Sequence, residues 1–459
     1  MRTAWTGRVY GIIAHMNTEE KTRPRGLALI PFIVFAVFYV GLSLKAGDFY
    51  RVPMTIAFLV ASATAIAMDF RRPLAERIET YARGMGETNV MVMCLIFVMS
   101  GAFASVAKAS GAVDAAVALA QSVIPARLML AGVFLISCLV SLAIGTSCGT
   151  IAAVAPIALG FAAPLELSPA LLAGAVVGGS MFGDNLSMIS DTTIAATRTQ
   201  GIRMRDKFIA NAGIAAPAAL VALFIYAALG MSHAAASPAA EAVTWRQALL
   251  VTPYLLILAL ALAGLNVMPL LFSGTLLAAA FGIILGKFDL LGALDHLGKG
   301  TLAMSETLIV ALLAGGLFRT IQANGGIEWL TRKIALLVRG PRTCEFGVFL
   351  LVAAVNLFTA NNTVAIVIAG PIAKTCSDRF RADPARIASV LDTTSCIVQG
   401  LIPYGAQLLI AIGIAKAANS PFSSFDLIAG LYYQHLLLFA VVAAMFIPRR
   451  GSWFVVRGS

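Results

Sequence analysis

Residues 182–193 read Phe182-Gly183-Asp184-Asn185-Leu186-Ser187-Met188-Ile189-Ser190-Asp191-Thr192-Thr193, inside an apolar stretch that runs from about 168 to 196. An aspartate at the centre of a membrane helix costs about 2.5–3.5 kcal/mol on insertion scales, and here two fall within eight positions. Non-helical backbone at membrane depth persists only where protein or a wet cavity satisfies its amides and carbonyls. The stretch therefore predicts a crossing broken around an enclosed polar site.

Three further interruptions follow the same plan. Gly145-Thr146-Ser147-Cys148-Gly149-Thr150 and Thr359-Ala360-Asn361-Asn362-Thr363 each sit in the middle of a long apolar run. Asp392-Thr393-Thr394-Ser395, running on to Gly400-Leu401-Ile402-Pro403-Tyr404-Gly405, reads as a second broken crossing. Where one half-helix ends and another begins, orphan carbonyls can hold a cation and orphan N–H groups can face an anion.

Working outward, 59% of the 459 residues are apolar and 12% are charged, about half the charged share of a soluble protein. Apolar runs long enough to enter or cross about 30 Å of hydrocarbon lie near 26–44, 53–68, 88–106, 126–164, 168–196 and 206–230. A second set lies near 246–263, 266–285, 304–321, 343–373, 384–416 and 427–447. The sets match at a constant offset of 215: Gly132-Val133-Phe134-Leu135 meets Gly347-Val348-Phe349-Leu350, and Phe103, Gly111, Arg127 and Pro156 meet Phe318, Gly326, Arg342 and Pro371. Such self-similarity marks an internal duplication.

Basic residues decide whether 126–164 and 343–373 cross the membrane or turn back. As hairpins, they leave five crossings per half, invert the second half and place both termini in the cytoplasm. The cytoplasmic segments, 69–87, 197–207, 319–342 and 374–386 among them, then hold 25 of the 33 Lys and Arg, as the positive-inside rule asks. The predicted fold is an all-α polytopic membrane protein of two inverted-topology repeats. It has about ten crossings, two re-entrant helical hairpins and helices broken at the midplane. Its parts are a cytoplasmic segment 1–25, a first repeat 26–230 with hairpin 126–164, and an external linker 231–245. A second repeat 246–447 with hairpin 343–373 and a cytoplasmic tail 448–459 follow. Amphipathic stretches near 110–124 and 325–338 are expected along opposite membrane surfaces. The basic N-terminal segment lacks an early apolar core, so the first hydrophobic run is expected to stay as an anchor.

No Lys or Arg occurs in the four polar motifs, so the sequence predicts neutralisation of Asp184, Asp191 and Asp392 by a proton or a metal cation rather than by internal salt bridges. A proton and a sodium ion competing for one carboxylate are the simplest basis for exchange. Asp184, Asp191, Asp392, Asn361 and Asn362 are the candidate ion and proton ligands, with Asp184 and Asp191 as the sodium-binding pair. Thr146, Ser147, Thr150, Asn185, Ser187, Thr192, Thr193, Thr363 and Gln399 are supporting ligands. Plainer roles compete: membrane hydroxyls often bond to their own backbone, and Asn361 or Asn362 can serve as a helix cap alone. Gly174, Gly178, Gly179 and Gly183 have the spacing of close helix packing. Glu306 and Arg319, near the two ends of one crossing, are explained by reaching to the interface.

Other functions leave no trace. Gly145-Thr146-Ser147-Cys148-Gly149 fits G-x-S-x-G in form but lacks the strand-to-helix turn and a partner histidine. No phosphate-binding loop occurs, so a gradient must supply any energy. The six cysteines form no C-x-x-C pair, so neither a disulfide framework nor zinc is expected, and no cofactor or nucleic-acid partner is called for.

Phe182-Gly183-Asp184-Asn185-Leu186-Ser187 with Ser190-Asp191-Thr192-Thr193 resembles the F-G-D-x-x-S-P-x-S-D-T-T signature of the NhaC sodium/proton antiporter family. The order of tip, signature, second tip and late Leu-Ile-Pro-aromatic segment, Leu401 to Tyr404, is similar as well. The resemblance implies an inner-membrane carrier on a dimeric scaffold that exchanges Na⁺ for H⁺. The alternative is a Na⁺- or H⁺-coupled carrier of a small organic acid or amino acid. Met188 at the usual proline, Asn185 where lysine is frequent and Gln399-Gly400 where Ser-Pro is common depart from the pattern, and they bear on the transported species.

Overall fold

A computed structural model of the chain describes residues 23–46, 52–68, 72–233, 244–263, 265 and 267–446. The expected N-terminal segment up to residue 22, the core of the linker at 234–243 and the C-terminal tail lie outside the described residues.

The first half comprises α1 (Ile30–Ala46), α2 (Met54–Met68), α3 (Leu74–Met85), α4 (Thr88–Ser110) and α5 (Ala112–Val123). It continues with α6 (Met129–Ile144), α7 (Ser147–Gly160), α8 (Pro169–Leu186), α9 (Asp191–Gln200) and α10 (Met204–His233). The second half runs through α11 (Trp245–Leu262), α12 (Val267–Ile284), α13 (Leu290–Ala303), α14 (Ser305–Ala323) and α15 (Gly326–Ala335). It closes with α16 (Pro341–Thr359), α17 (Asn362–Phe380), α18 (Pro384–Leu401), α19 (Ala406–Ala417), the short α20 (Ser424–Ala429) and α21 (Tyr432–Phe446). Among the described residues, eight helical stretches are long and apolar enough to cross a membrane, and shorter apolar helices lie between them.

The duplication seen in sequence recurs in the helix starts. The starts of α7 and α17, Ser147 and Asn362, are 215 residues apart, as are those of α8 and α18, Pro169 and Pro384, and of α9 and α19, Asp191 and Ala406. Both prolines stand in the first turn, where a missing N–H costs nothing and the fixed φ suits a helix.

Both polar tips turn at a left-handed residue, Gly145 with φ 73° and its repeat equivalent Ala360 with φ 46°. The arms of each hairpin pack on each other, α6 on α7 and α16 on α17. Inversion interlocks the halves: α7 packs against α19, and α17 against α9. Within the first half α6 lies on α8, close enough that a Cβ on Gly179 would sit 2.4 Å from the Phe134 carbonyl and one on Gly183 would sit 2.3 Å from Ser141 Cβ. The glycine spacing is thus spent on packing, as its sequence suggested.

The structure alters the sequence reading in three places. Residues 74–85 and 290–303, not recognised as helices from sequence, form α3 and α13, which pack across the halves on α14 and α4. Gly84 sets its backbone against Gly315, and Gly101 against Gly300. The second broken crossing opens at Ile402–Gly405, so Asp392–Ser395 lie in the unbroken body of α18. Glu306 pairs with Lys416 of α19 at 2.5 Å.

Candidate functional site

Asp184 lies in the last turn of α8 and is 4% exposed. Helix α8 ends at Leu186, where Ser187 turns to extended backbone and a bend at 188–189 leads to Ser190, leaving terminal carbonyls without helical partners. One carboxylate oxygen, Oδ1, accepts from Ser190 Oγ at 2.5 Å, and Ser190 is in turn 2.8 Å from Thr192 Oγ1. The other, Oδ2, accepts from Ser147 Oγ at 2.8 Å and from Asn362 Nδ2 at 3.4 Å. Ser147 opens α7 and Asn362 opens α17, so the positive ends of two half-helices, one from each repeat, converge on a single carboxylate.

The second repeat closes the site with neutral groups. Gln407 Nε2 donates to Ser147 Oγ at 2.9 Å. At the repeat equivalent of Asp184 stands Gln399, whose Nε2 donates to the Ala360 carbonyl at 2.7 Å. Each half therefore carries a polar side chain, third from the end of its broken helix, bonded to a residue of its own tip. Only the first half makes that side chain acidic.

A second polar centre lies on the other side of the same break. Lys207, in the first turn of α10 and 1% exposed, sets Nζ 2.5 Å from Asp392 Oδ2, itself 0% exposed. The same ammonium donates to the Asn185 carbonyl at 2.7 Å and to Thr193 Oγ1 at 2.6 Å. One turn on, Asn211 Nδ2 donates to Asp392 Oδ2 at 2.8 Å and to the Asn185 carbonyl at 2.9 Å. This overturns the expectation that no salt bridge neutralises the aspartates, and it removes Lys207 from the cytoplasmic basic cluster of 197–207. The four polar motifs do not reveal the pair, because Lys207 lies outside all of them. Its signal was available: Lys207 and Asn211 are four apart and share one face of an apolar helix.

The remaining candidates divide. Asn361 caps α17, its Oδ1 accepting from the Val364 N–H at 3.0 Å. Thr150 bonds to the Thr146 carbonyl at 3.0 Å, and Ser187 to the Leu142 carbonyl at 3.1 Å. Asn185 reaches Tyr433, Nδ2 to OH at 3.2 Å, a partner outside the four polar motifs. Thr363 lies half-buried in the first turn of α17. Asp191 begins α9 with its side chain exposed, apart from the hydrogen bonds that hold Asp184.

A cavity of about 400 Å³ reaches the second tip, lined by Arg83, Glu87, Arg319, Gln322, Thr359 and Asn361 among others.

The family model described as the Na⁺/H⁺ antiporter family matches residues 25–231 and, separately, 228–446. The Na⁺/H⁺ antiporter NhaC of Bacillus subtilis is 25% identical over 445 residues, covering 89% of this chain and 96% of that one. That of Alkalihalophilus pseudofirmus is 23% identical over 412 residues, 82% of this chain and 87% of the other. A malate-2H⁺/Na⁺-lactate antiporter of B. subtilis is 21% identical over 434 residues, 87% and 92% of the two chains.

Proposed function

The chain belongs to the Na⁺/H⁺ antiporter family, and on that basis we propose that this multi-pass membrane carrier exchanges Na⁺ for H⁺ by admitting one ion at a time to Asp184. One observation carries the assignment. Both oxygens of the buried Asp184 are held by neutral donors, Ser147, Ser190 and Asn362, and it makes no ion pair among the described residues. A carboxylate at such depth needs a neutralising partner, and an exchangeable cation supplies it. Sodium takes the ionised form and a proton the other, so the two ions exclude each other.

Asp392 already has a resident cation in Lys207 and is assigned to holding the break. Asp191, exposed at the start of α9, is assigned to attracting the cation at the mouth of the site. The basic-residue bias supports cytoplasmic termini in the inner membrane. A homodimer is the proposed assembly.

Purified protein in liposomes with a trapped pH indicator tests the exchange. A sodium pulse should move protons across the membrane, and Asp184→Asn should abolish the movement. Exchange by Asp184→Asn at the parental rate would sink the assignment.

The cavity at the second tip favours one other reading. It offers the Arg319 guanidinium, with Arg83, already paired with Glu79 at 2.7 Å, beside it, and room beyond a bare ion, which suits an organic carboxylate moving with the cation. Labelled dicarboxylate or lactate accumulating with sodium, in the absence of any sodium-driven proton flux, would place the chain there instead.

A further inference from the structure

The Lys207 ammonium occupies a place with the chemistry of a cation site. Its nearest neighbours are oxygens from both sides of the break and from the opposite repeat: the Asn185 carbonyl at the end of α8, Thr193 Oγ1 on α9 and Asp392 Oδ2 on α18. The set combines a helix-end carbonyl that no helical N–H uses, a hydroxyl and a carboxylate, the hard oxygen donors that a sodium ion takes. More oxygen stands in reserve. Asp392 Oδ1, Asn185 Oδ1 and Asn211 Oδ1 are all buried, and none has a hydrogen-bond partner among the described residues. The three N–H groups of the ammonium are already spent on Asn185, Thr193 and Asp392, which leaves these three bare acceptors, on Asn185, on Asp392 and on the Asn211 bonded to both, without a donor from it.

We propose that Lys207 is a tethered cation standing in a second sodium site, so that the chain has two cation positions and exchanges the ion at only one of them. The inference rests on the reading of Asp184 as the exchangeable site and extends it to stoichiometry. With Lys207 in place, one sodium ion binds per chain. The ammonium keeps Asn185, Thr193 and Asp392 gathered whichever ion sits at Asp184, so the break holds its shape while the exchangeable site is loaded and emptied. It also bridges α10 to the opposite repeat through Asp392, where a diffusible ion would let go.

Sodium binding to purified protein, measured by equilibrium binding of ²²Na⁺ and by the sodium dependence of thermal unfolding, tests the proposal. The parent should bind one ion per chain, and Asp184→Asn none. Lys207→Ala, which empties the position and leaves Asp392 unpaired, should bind two, and its unfolding temperature should climb steeply with sodium while that of the parent climbs little. Adding Asp392→Asn to Lys207→Ala removes the charge that holds the second ion and should return the count to one. Lys207→Ala that stays at one ion per chain overturns the proposal. So does Lys207→Ala that fails to fold at every sodium concentration while the double variant folds, because sodium then cannot replace the ammonium. A parent that binds no sodium, or binding that survives Asp184→Asn, instead overturns the assignment of Asp184, an outcome read on variants that retain Lys207.

Discussion

Ser147 and Asn362, repeat equivalents 215 residues apart, donate to the same oxygen of the same carboxylate, Oδ2 of Asp184, at 2.8 and 3.4 Å. Two tips related by inversion thus share one ligand that has no acidic twin. A symmetric scaffold holds an asymmetric charge.

The two bonds are unequal, and their loss should be too. Ser147→Ala removes a short bond to an ionised group, typically worth about 1.5–3 kcal/mol, so sodium half-saturation should rise by roughly tenfold or more. Asn362→Ala, losing the 3.4 Å contact, should shift it less. Sodium titrations of proton flux in liposomes compare them directly.

Competition at Asp184 fixes the sign of the pH dependence. On the proposed assignment the proton takes the carboxylate that sodium needs, so half-saturating sodium should rise as pH falls, approaching about tenfold per pH unit where one proton competes with one ion. The maximal rate at saturating sodium should change less. A half-saturation constant that stays flat between pH 6.5 and 9 would count against a shared site.

Asp191 and Asp184 should separate in kinetics. With Asp191 exposed at the start of α9, Asp191→Asn should weaken sodium half-saturation by a few-fold, an effect that shrinks as ionic strength is raised with a salt of an untransported cation. Asp184→Asn should show no exchange at any ionic strength.

Lys207→Ala and Lys207→Ala/Asp392→Asn should differ in stability as well as in ion count. Stripping one partner from a buried ion pair costs about 3–5 kcal/mol, whereas replacing both with neutral groups costs far less. In sodium-free buffer the single variant should unfold at the lower temperature, and the double variant should recover most of the loss.

The glycine face of α8 should tolerate no side chain. A Cβ on Gly179 would sit 2.4 Å from the Phe134 carbonyl, so Gly179→Ala must push α8 from α6 and should cost about 1–3 kcal/mol or more. Gly41, where an added Cβ would meet nothing within 4 Å, is the control, and Gly41→Ala should leave thermal unfolding unchanged or slightly improved.

The sequence by itself determined the membrane class, the duplication and three of the four places where helices break, the fourth lying at Ile402–Gly405 rather than at Asp392–Ser395. These follow from local chemistry: apolar runs set by bilayer thickness, a fixed offset of 215, and polar or left-handed residues where a helix cannot continue. It also put Asp184 and Ser147 among the candidate ligands, because a carboxylate in such a run needs a reason. Tertiary structure alone decided which polar residues meet. Lys207 looked like one more basic residue at a helix start, and its partner Asp392 lies 185 positions away on the opposite repeat. Asp191 looked equal to Asp184, yet the bend at 187–190 starts a new helix at Asp191 and leaves its side chain exposed while Ser190 turns inward to Asp184. The hydropathy of a residue says what it costs to bury, and only the packing of α8, α9, α10 and α18 says which groups meet it: a fixed ammonium for Asp392, and neutral donors from both repeats for Asp184.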